Sequence, residues 1–378
     1  MEIRSKRIQK ATLALIGTII GAGVFGLPAL FSIVGFWPAT VLFSLLTGVV
    51  LLTHLFYVEI ILAFKKRMRL AGYAREVLGK WGYVVAGVTY PLQIIGVNLV
   101  YLILGGAFLS SLAALIGIRA DAVIWQLVFW FIGATVVLLG LSFLAKVEAV
   151  ATWLLIASMV LIVGLSASHW DASALIRADW THFFLPFGIF LFAISGLPVI
   201  AEVVEIVGRK RKDSLTAVIV GTLSAAFLSW LFGAGLFLAA HGAIGRNPSD
   251  LILMLPHAWS WLIPLMGFLA IITSYMTTAE DLKESFDLDF RISEWWAWAI
   301  ALLAPLLLLA TRQNYLSVLD MVGTVFGGIT SLFIVFIAMK LFYGKANRPA
   351  YWSVFASVII LLVFAAGILY KFLYQPFV

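Results

Sequence analysis

Two stretches of this chain place glycine and proline where neither residue belongs. The first is GTIIGAGVFGLPALF, from Gly17 to Phe31, and the second is FLFAISGLPVIAEVVE, from Phe190 to Glu205. Both are otherwise apolar runs, and each contains Gly-Leu-Pro: Gly26-Leu27-Pro28 and Gly196-Leu197-Pro198. Glycine costs about 1 kcal/mol against alanine in a helix interior, and proline about 3. Proline in the first turn of a helix costs little, because that N–H has no partner anyway. The spacing therefore predicts two interrupted helices. One half-helix ends near Ile20-Gly21, an extended piece covers Ala22, Gly23, Val24 and Phe25, and a new half-helix starts around Gly26-Leu27-Pro28. The other breaks at Ala193-Ile194-Ser195-Gly196 and restarts at Leu197-Pro198.

Such a break exposes free N–H groups on one half-helix and free C=O groups on the other. The amides and the half-dipole behind them attract a carboxylate. The carbonyl end attracts an ammonium group or a small cation. A zwitterion with both groups on one carbon suits the pair. The competing reading is close helix packing through small residues, which would account for Gly17, Gly21 and Gly105 without any ligand. The added proline and the matching second break favour a binding site.

Other polar residues lie inside apolar runs. Ala270, Thr273 and Ser274, in GFLAIITSYMTT, are spaced i, i+3 and i+4 and share a helical face. Their oxygens suit a hard cation, or the hydroxyls bond their own backbone. Asn98 and Tyr101 fall near the middle of the third run. The tyrosine is placed to donate to a carboxylate, and Asn98 either joins it or bonds a neighbouring helix. Phe25 and Phe192 flank the two breaks and either close over a ligand or simply pack. His54 is a proton carrier or, preferably, a hydrogen-bonded bundle histidine. Glu59 is expected to pair with Lys65 and Lys66. Glu202 and Glu205 precede Arg209 to Lys212 and read as a gate or cap, and Asp320 as a gate or a cap at the other end.

The elements that must hold these residues follow from composition. The chain has 378 residues, 63% hydrophobic and 11% charged, too few polar side chains to cover a water-soluble globule. Apolar runs of 18 or more residues recur, each long enough to cross a hydrocarbon layer ~30 Å thick. We read an all-α polytopic membrane protein with eleven spans: 9–34, 37–63, 82–115, 123–144, 149–167, 184–207, 215–240, 259–279, 294–311, 316–342 and 351–373. The N-terminal run lacks a small-residue cleavage site and reads as a retained span. There are no cysteines, which excludes disulfides and thiolate chemistry.

With the N-terminus in the cytoplasm and the C-terminus outside, 20 of the 25 Lys and Arg fall on inside segments. The remaining five are Arg119, Arg177, Arg246, Arg312 and Lys371. The net charge of +7 is thus a topology signal spread over several loops, and it argues against nucleic acid as a partner. The acidic segment AEDLKESFDLDFR, Ala279 to Arg291, reads as a solvated helix end. An intramembrane enzyme is disfavoured. There is no H-E-x-x-H, and His169, His182, His241 and His257 lie in or beside outside loops. A channel is disfavoured because no filter loop or repeated polar pore helix is visible.

Interrupted helices at matching positions, in spans one and six, are the sequence sign of a transporter built from inverted repeats. The motif G-x-x-x-G-x-G-V-F-x-L-P, Gly17 to Pro28, resembles the first-span signature of the amino acid/polyamine/organocation transporter superfamily. It looks most like the aromatic (tryptophan/tyrosine) permeases and the amino acid/auxin permease branch. The resemblance covers essentially the whole chain and implies the LeuT fold. Two inverted five-helix repeats would cover about 9–167 and 184–342, followed by an extra helix at about 351–373. It implies secondary active import of a neutral, possibly aromatic, L-amino acid in a cell (plasma or inner) membrane. The carboxylate would meet amides at Gly21 to Phe25, and the ammonium would meet carbonyls near Ile20 and at Phe192 to Ser195, beside Gly196. Exchange, or another small zwitterion or organic cation on the same fold, is the alternative. No cofactor is implied, and the coupling ion would be Na+ or H+. In sodium-coupled members a carbonyl and two hydroxyls spaced like Ala270, Thr273 and Ser274 bind sodium with first-span carbonyls, here those of Gly17 and Ile20. Some proton-coupled members place a fifth-span lysine there. This chain has none inside that run, and Lys146 reads as part of the preceding loop.

Overall fold

The computed structural model describes residues 2–139, 141–245, 251, 259–311, 314–343, 349, 351 and 353–374. Arg246, His257 and Arg312 lie outside the described residues. The first run forms α1 (Glu2–Ile19), a 3-10 turn over Ala22–Gly26, and α2 (Leu27–Val34). The chain bends by 44° at this break. Pro28 sits in the first turn of α2, where its missing N–H costs nothing. Ala22 to Phe25 is helical of the tighter kind rather than extended. Short 3-10 segments are common at the ends of α-helices, and here Val24 N–H bonds back to the Gly21 carbonyl.

Next come α3 (Phe36–Ala63), the short α4 (Leu70–Leu78) and α5 (Lys80–Leu115). Gly35 joins α2 to α3 at φ +87°, and a Cβ there would sit 2.7 Å from the Arg177 carbonyl carbon, so only glycine fits. Gly35 also forms an isolated bridge with Ala178, and no strand occurs among the described residues. Then follow α6 (Ala122–Leu139) and α7 (Leu141–Ser166). Because α7 begins at Leu141, Lys146 lies within the helix rather than in a loop. The sixth run splits into α8 (Phe187–Ile194) and α9 (Leu197–Ile206), with Pro198 in the first turn of α9. The chain continues through α10 (Arg211–Ala239), α11 (Leu262–Phe290) and α12 (Glu294–Leu308). Last come α13 (Tyr315–Met321), a π turn over Val322–Gly327, α14 (Gly328–Phe342) and α15 (Val354–Tyr374).

Nine described helices are long and apolar enough to cross a membrane, ten if the bent first pair is one span. The run expected over 123–144 is met by α6, and only part of that run lies among the residues searched, so an eleventh crossing is not established there. Burial separates inner from outer spans. The most apolar window of α11 is 83% buried, against 28% for α12 and for α15. Helix α11 packs along α5 and α7, α1 packs along α10 and α9, and the two broken spans meet between these pairs.

One end of the bundle gathers the N-terminus and most of the ion pairs. Arg4 binds Asp213 at 2.5 Å, Arg211 binds Glu59 at 2.6 Å, and Arg209 donates to the carbonyls of Ile61 and Phe64. Glu59 therefore pairs with Arg211, and accepts from Tyr351, rather than with Lys65 and Lys66. The largest departure from expectation is the acidic segment. Helix α11 runs unbroken to Phe290, and Glu280, Asp281, Glu284 and Asp289 are all buried. Burying a carboxylate needs a partner. Arg69 supplies one to both Asp281 and Glu284, Arg67 binds Glu284, Tyr90 donates to Asp281, and Asp289 accepts the N–H groups of Arg69 and Gly72.

Candidate functional site

The two breaks touch. Gly21 has φ −118° and ψ −143°, and its N–H reaches back to the Ile19 carbonyl at 2.9 Å. A Cβ on Gly23 would lie 2.6 Å from the Ala193 Cα, so the absence of a side chain lets the two backbones pack directly. Phe25 packs against Phe108 at 4.7 Å and Phe232 at 6.1 Å, closing the break toward the far end of the bundle. Ile20, Ala22, Val24 and Phe25 are fully or almost fully buried. In the second break Ser195 is extended (φ −81°, ψ 126°), and Phe192, Ser195 and Pro198 are only half-buried.

Those half-buried residues open onto a cavity of about 40 Å³ between α1, α3, α5, the second break, α11, α14 and the π turn. Its walls include Thr18, Ile19, Thr53, His54, Gln93, Val97, Tyr101, Phe192, Ser195, Thr278, Ser331 and Phe364. That volume holds about three waters, so admitting an aromatic side chain requires the walls to part. Beyond the packed breaks lies a second recess of about 230 Å³, lined in part by Gly26, Ile189, Asn314 and Asp320. Asp320 there binds Lys371 at 2.5 Å and accepts from Thr324 at 3.2 Å. The buried Arg69–Asp281–Glu284 cluster lies at the opposite, basic end.

His54 ties the second break to the scaffold. It is fully buried. Its Nε2 accepts the Gly196 N–H at 3.1 Å, and its Nδ1 lies 3.0 Å from Thr222 Oγ1. An accepting Nε2 assigns the proton to Nδ1, so the ring is the neutral Nδ1–H tautomer with both nitrogens occupied. This is the hydrogen-bonded histidine that the sequence reading preferred.

A knot of oxygens lies on the other side of α1. Ser274 Oγ is 3.1 Å from the Gly17 carbonyl, 3.3 Å from that of Thr18 and 2.9 Å from that of Ala270. Thr273 Oγ1 is 3.1 Å from the Ala270 carbonyl. Gly17, Ala270, Thr273 and Ser274 are thus brought together as the spacing suggested, with Thr18 added, whereas these contacts do not include the Ile20 carbonyl. Both hydroxyls bond carbonyls of their own helix, Thr273 also that of Leu269 at 2.9 Å, and Ser274 alone reaches across to the first-span carbonyls. Thr152 Oγ1 of α7, buried and without a partner, faces Gly17.

Asn98 and Tyr101 sit beside this knot. Thr278 donates to Asn98 Oδ1 at 2.5 Å, while Asn98 Nδ2 is buried without a partner. A Cβ on Gly21 would lie 2.9 Å from Ser274 Oγ and 3.0 Å from the Tyr101 hydroxyl, so glycine keeps that corner open. The sequence reading passed over Thr18, Gln93, Thr152, Thr278 and Ser331. Each sits in a stretch of helix whose neighbouring residues are mostly apolar, where periodicity does not mark the inner face. A polar residue within an apolar run was the one available signal.

The geometry agrees with known proteins in two respects. The chain is similar over nearly its whole length to a solved Na+-coupled sialic acid symporter in a substrate-bound outward-open state. The TM-score is 0.65 at 16% identity, covering 98% of this chain and 90% of that one. That likeness establishes the fold expected above, all-helical with discontinuous first and sixth spans. No curated protein matches the sequence. The model of the tryptophan/tyrosine permease family matches residues 4–374. A multi-pass helical bundle with two paired helix breaks and a family match from end to end leaves a transporter rather than an enzyme, and the chain belongs to the tryptophan/tyrosine permease family.

Proposed function

We propose that this protein imports a neutral aromatic L-amino acid by cation-coupled symport with alternating access. The observation that carries the reading is the meeting of two Gly-Leu-Pro breaks beside a cavity lined by Tyr101, Phe192 and Ser195. As the cavity widens, the substrate carboxylate meets the amides of Gly21 to Phe25, with Tyr101 and Asn98 as side-chain donors. The ammonium meets carbonyls near Ile20 and from Phe192 to Ser195, beside Gly196. The two sets of groups belong to helix ends of opposite polarity, so one zwitterion satisfies both.

Sodium is the coupling ion in this reading, held by oxygens of Gly17, Ile20, Ala270, Thr273 and Ser274. The oxygen knot supports it, and so does the absence of a lysine between Ala149 and Ala167 in the fifth run. The sodium coupling of the sialic acid symporter is in keeping with it. Two inverted repeats, 9–167 and 184–342, rock about the breaks, with the N-terminus cytoplasmic and the C-terminus outside. The test is uptake of radiolabelled amino acids into proteoliposomes under imposed Na+ or H+ gradients. Uptake of an aromatic amino acid that follows the Na+ gradient is expected. Uptake that follows only the H+ gradient overturns the ion assignment, and counterflow without any gradient identifies an exchanger.

A further inference from the structure

We propose that Gln93, with Ser331 beside it, reads the tip of the transported side chain and selects aromatic amino acids that carry a hydrogen-bonding atom there. The proposal rests on the reading above, that the α-carboxylate and ammonium lie at the breaks. Most polar groups in the cavity wall are already occupied. Thr18 and Thr53 spend their hydroxyls on the carbonyls of Ala14 and Val49, at 3.0 and 2.9 Å. Thr278 donates to Asn98, and His54 uses both ring nitrogens. Among the described polar groups of the wall, Ser195 at the break end and Gln93 Nε2 and Ser331 Oγ at the other are not tied up in this way, while the Tyr101 hydroxyl, bonded to Ser274, adds a second polar group at the break end.

Gln93 is built to present its amide. It is buried, at 6% exposure, and its Oε1 accepts from Thr330 Oγ1 at 2.7 Å, which fixes the amide and leaves the NH2 group near Gly327 at the start of α14. A Cβ on Gly327 would lie 3.3 Å from that NH2, so glycine in the π turn leaves it room. A π turn within a spanning helix is a costly irregularity that commonly marks a functional site. Gln93 and Tyr101 stand two turns apart on α5, ~12 Å at 1.5 Å per residue, a span comparable to an extended aromatic amino acid. Between them the wall is apolar, with Ile94, Val97 and Phe364. A cavity polar at both ends and apolar in between matches an aromatic ring with one polar atom at its tip. The Gln93 amide donates to a phenol oxygen. An indole N–H donates instead to Ser331 Oγ or to the second lone pair of Gln93 Oε1.

The experiment compares proteoliposome uptake of L-tyrosine with L-phenylalanine, and of L-tryptophan with its benzothienyl isostere, which lacks the N–H. A site built to hydrogen-bond a substrate group discriminates against the analogue lacking it. The wild-type protein should prefer at least one polar-tipped substrate over its analogue by about tenfold or more. Gln93→Leu should bring that ratio close to one while uptake of the analogue persists. Thr330→Val keeps the amide but removes its anchor and should lower the ratio several-fold, which decides the matter if Gln93→Leu does not fold. A wild type that transports these substrates without preference, or variants that keep the wild-type ratio, overturns the role of Gln93. A wild type that transports no amino acid overturns the underlying reading instead.

Discussion

His54 shows how one side chain holds a helix break in shape. The break frees the Gly196 N–H, and within an apolar bundle that group needs an acceptor. His54 Nε2 supplies it at 3.1 Å, with Thr222 fixing the ring from the other side. His54→Leu leaves the Gly196 amide unpaired and should cost about 1–3 kcal/mol of stability, read as a lower melting temperature in detergent. His54→Gln, which retains an acceptor, should recover part of it. Gly23 is constrained differently. Gly23→Ala drives a methyl group to 2.6 Å from the Ala193 Cα and forces the breaks apart. Uptake should fall at least tenfold, and the melting temperature should drop by the equivalent of about 1–3 kcal/mol. At the oxygen knot, Ser274→Ala removes the hydroxyl that joins the Gly17 and Ala270 carbonyls. The Na+ concentration for half-maximal uptake should rise roughly tenfold or more, since contacts to a charge are the strong ones.

At the scale of elements, the basic end is locked by the extension of α11. Arg69, Asp281 and Glu284 are all buried, so removing one partner leaves an uncompensated charge. Arg69→Ala should destabilise the protein by about 3–5 kcal/mol. Arg69→Met combined with Asp281→Asn and Glu284→Gln should restore much of that, as a thermal unfolding series would show. Opening toward this end must part the same contacts. A single cysteine at Thr278, in a chain with no natural cysteine, should therefore label faster in the Arg69→Ala background. At the far end, Asp171 accepts hydrogen bonds from Ser173 and lies 3.1 Å from His241. These contacts, that from the Ser173 hydroxyl foremost, hold its carboxyl down at about 2. Its folded value lies below the unfolded value of about 4, so its contribution is complete above that value and fades as pH falls toward 2. Protection of this loop from proteolysis should hold from pH 7 to 5, and Asp171→Asn should reduce it at neutral pH.

The helix breaks were legible in the sequence because glycine and proline act locally, and their cost does not depend on distant partners. The far-end ion pair, the buried acidic cluster and the π turn were not. Arg69 meets Asp281 across more than two hundred residues of chain, and charge alone made Ala279 to Arg291 look solvated. Of the two readings of Gly17 to Phe25, close packing is visible in the structure, and ligand binding stays a proposal. Gly23 serves close packing of the two breaks, Gly21 keeps the Ser274 and Tyr101 corner open, and Gly17 leaves room for Thr152 of α7.

At the scale of the whole molecule, two packed breaks separate a small central cavity from the far recess, and a charged cluster stands at the basic end. A carrier needs these parts: a site between two closures that never open together. The most direct measurement of the central claim is uptake of radiolabelled L-tryptophan and L-tyrosine into proteoliposomes containing the purified protein, under an inward Na+ gradient and under an inward H+ gradient. The account predicts accumulation of at least one of them above equilibrium when Na+ is high outside, lost on replacing Na+ with choline and strongly reduced by Ser274→Ala. The absence of uptake or exchange of any amino acid under both gradients would contradict it.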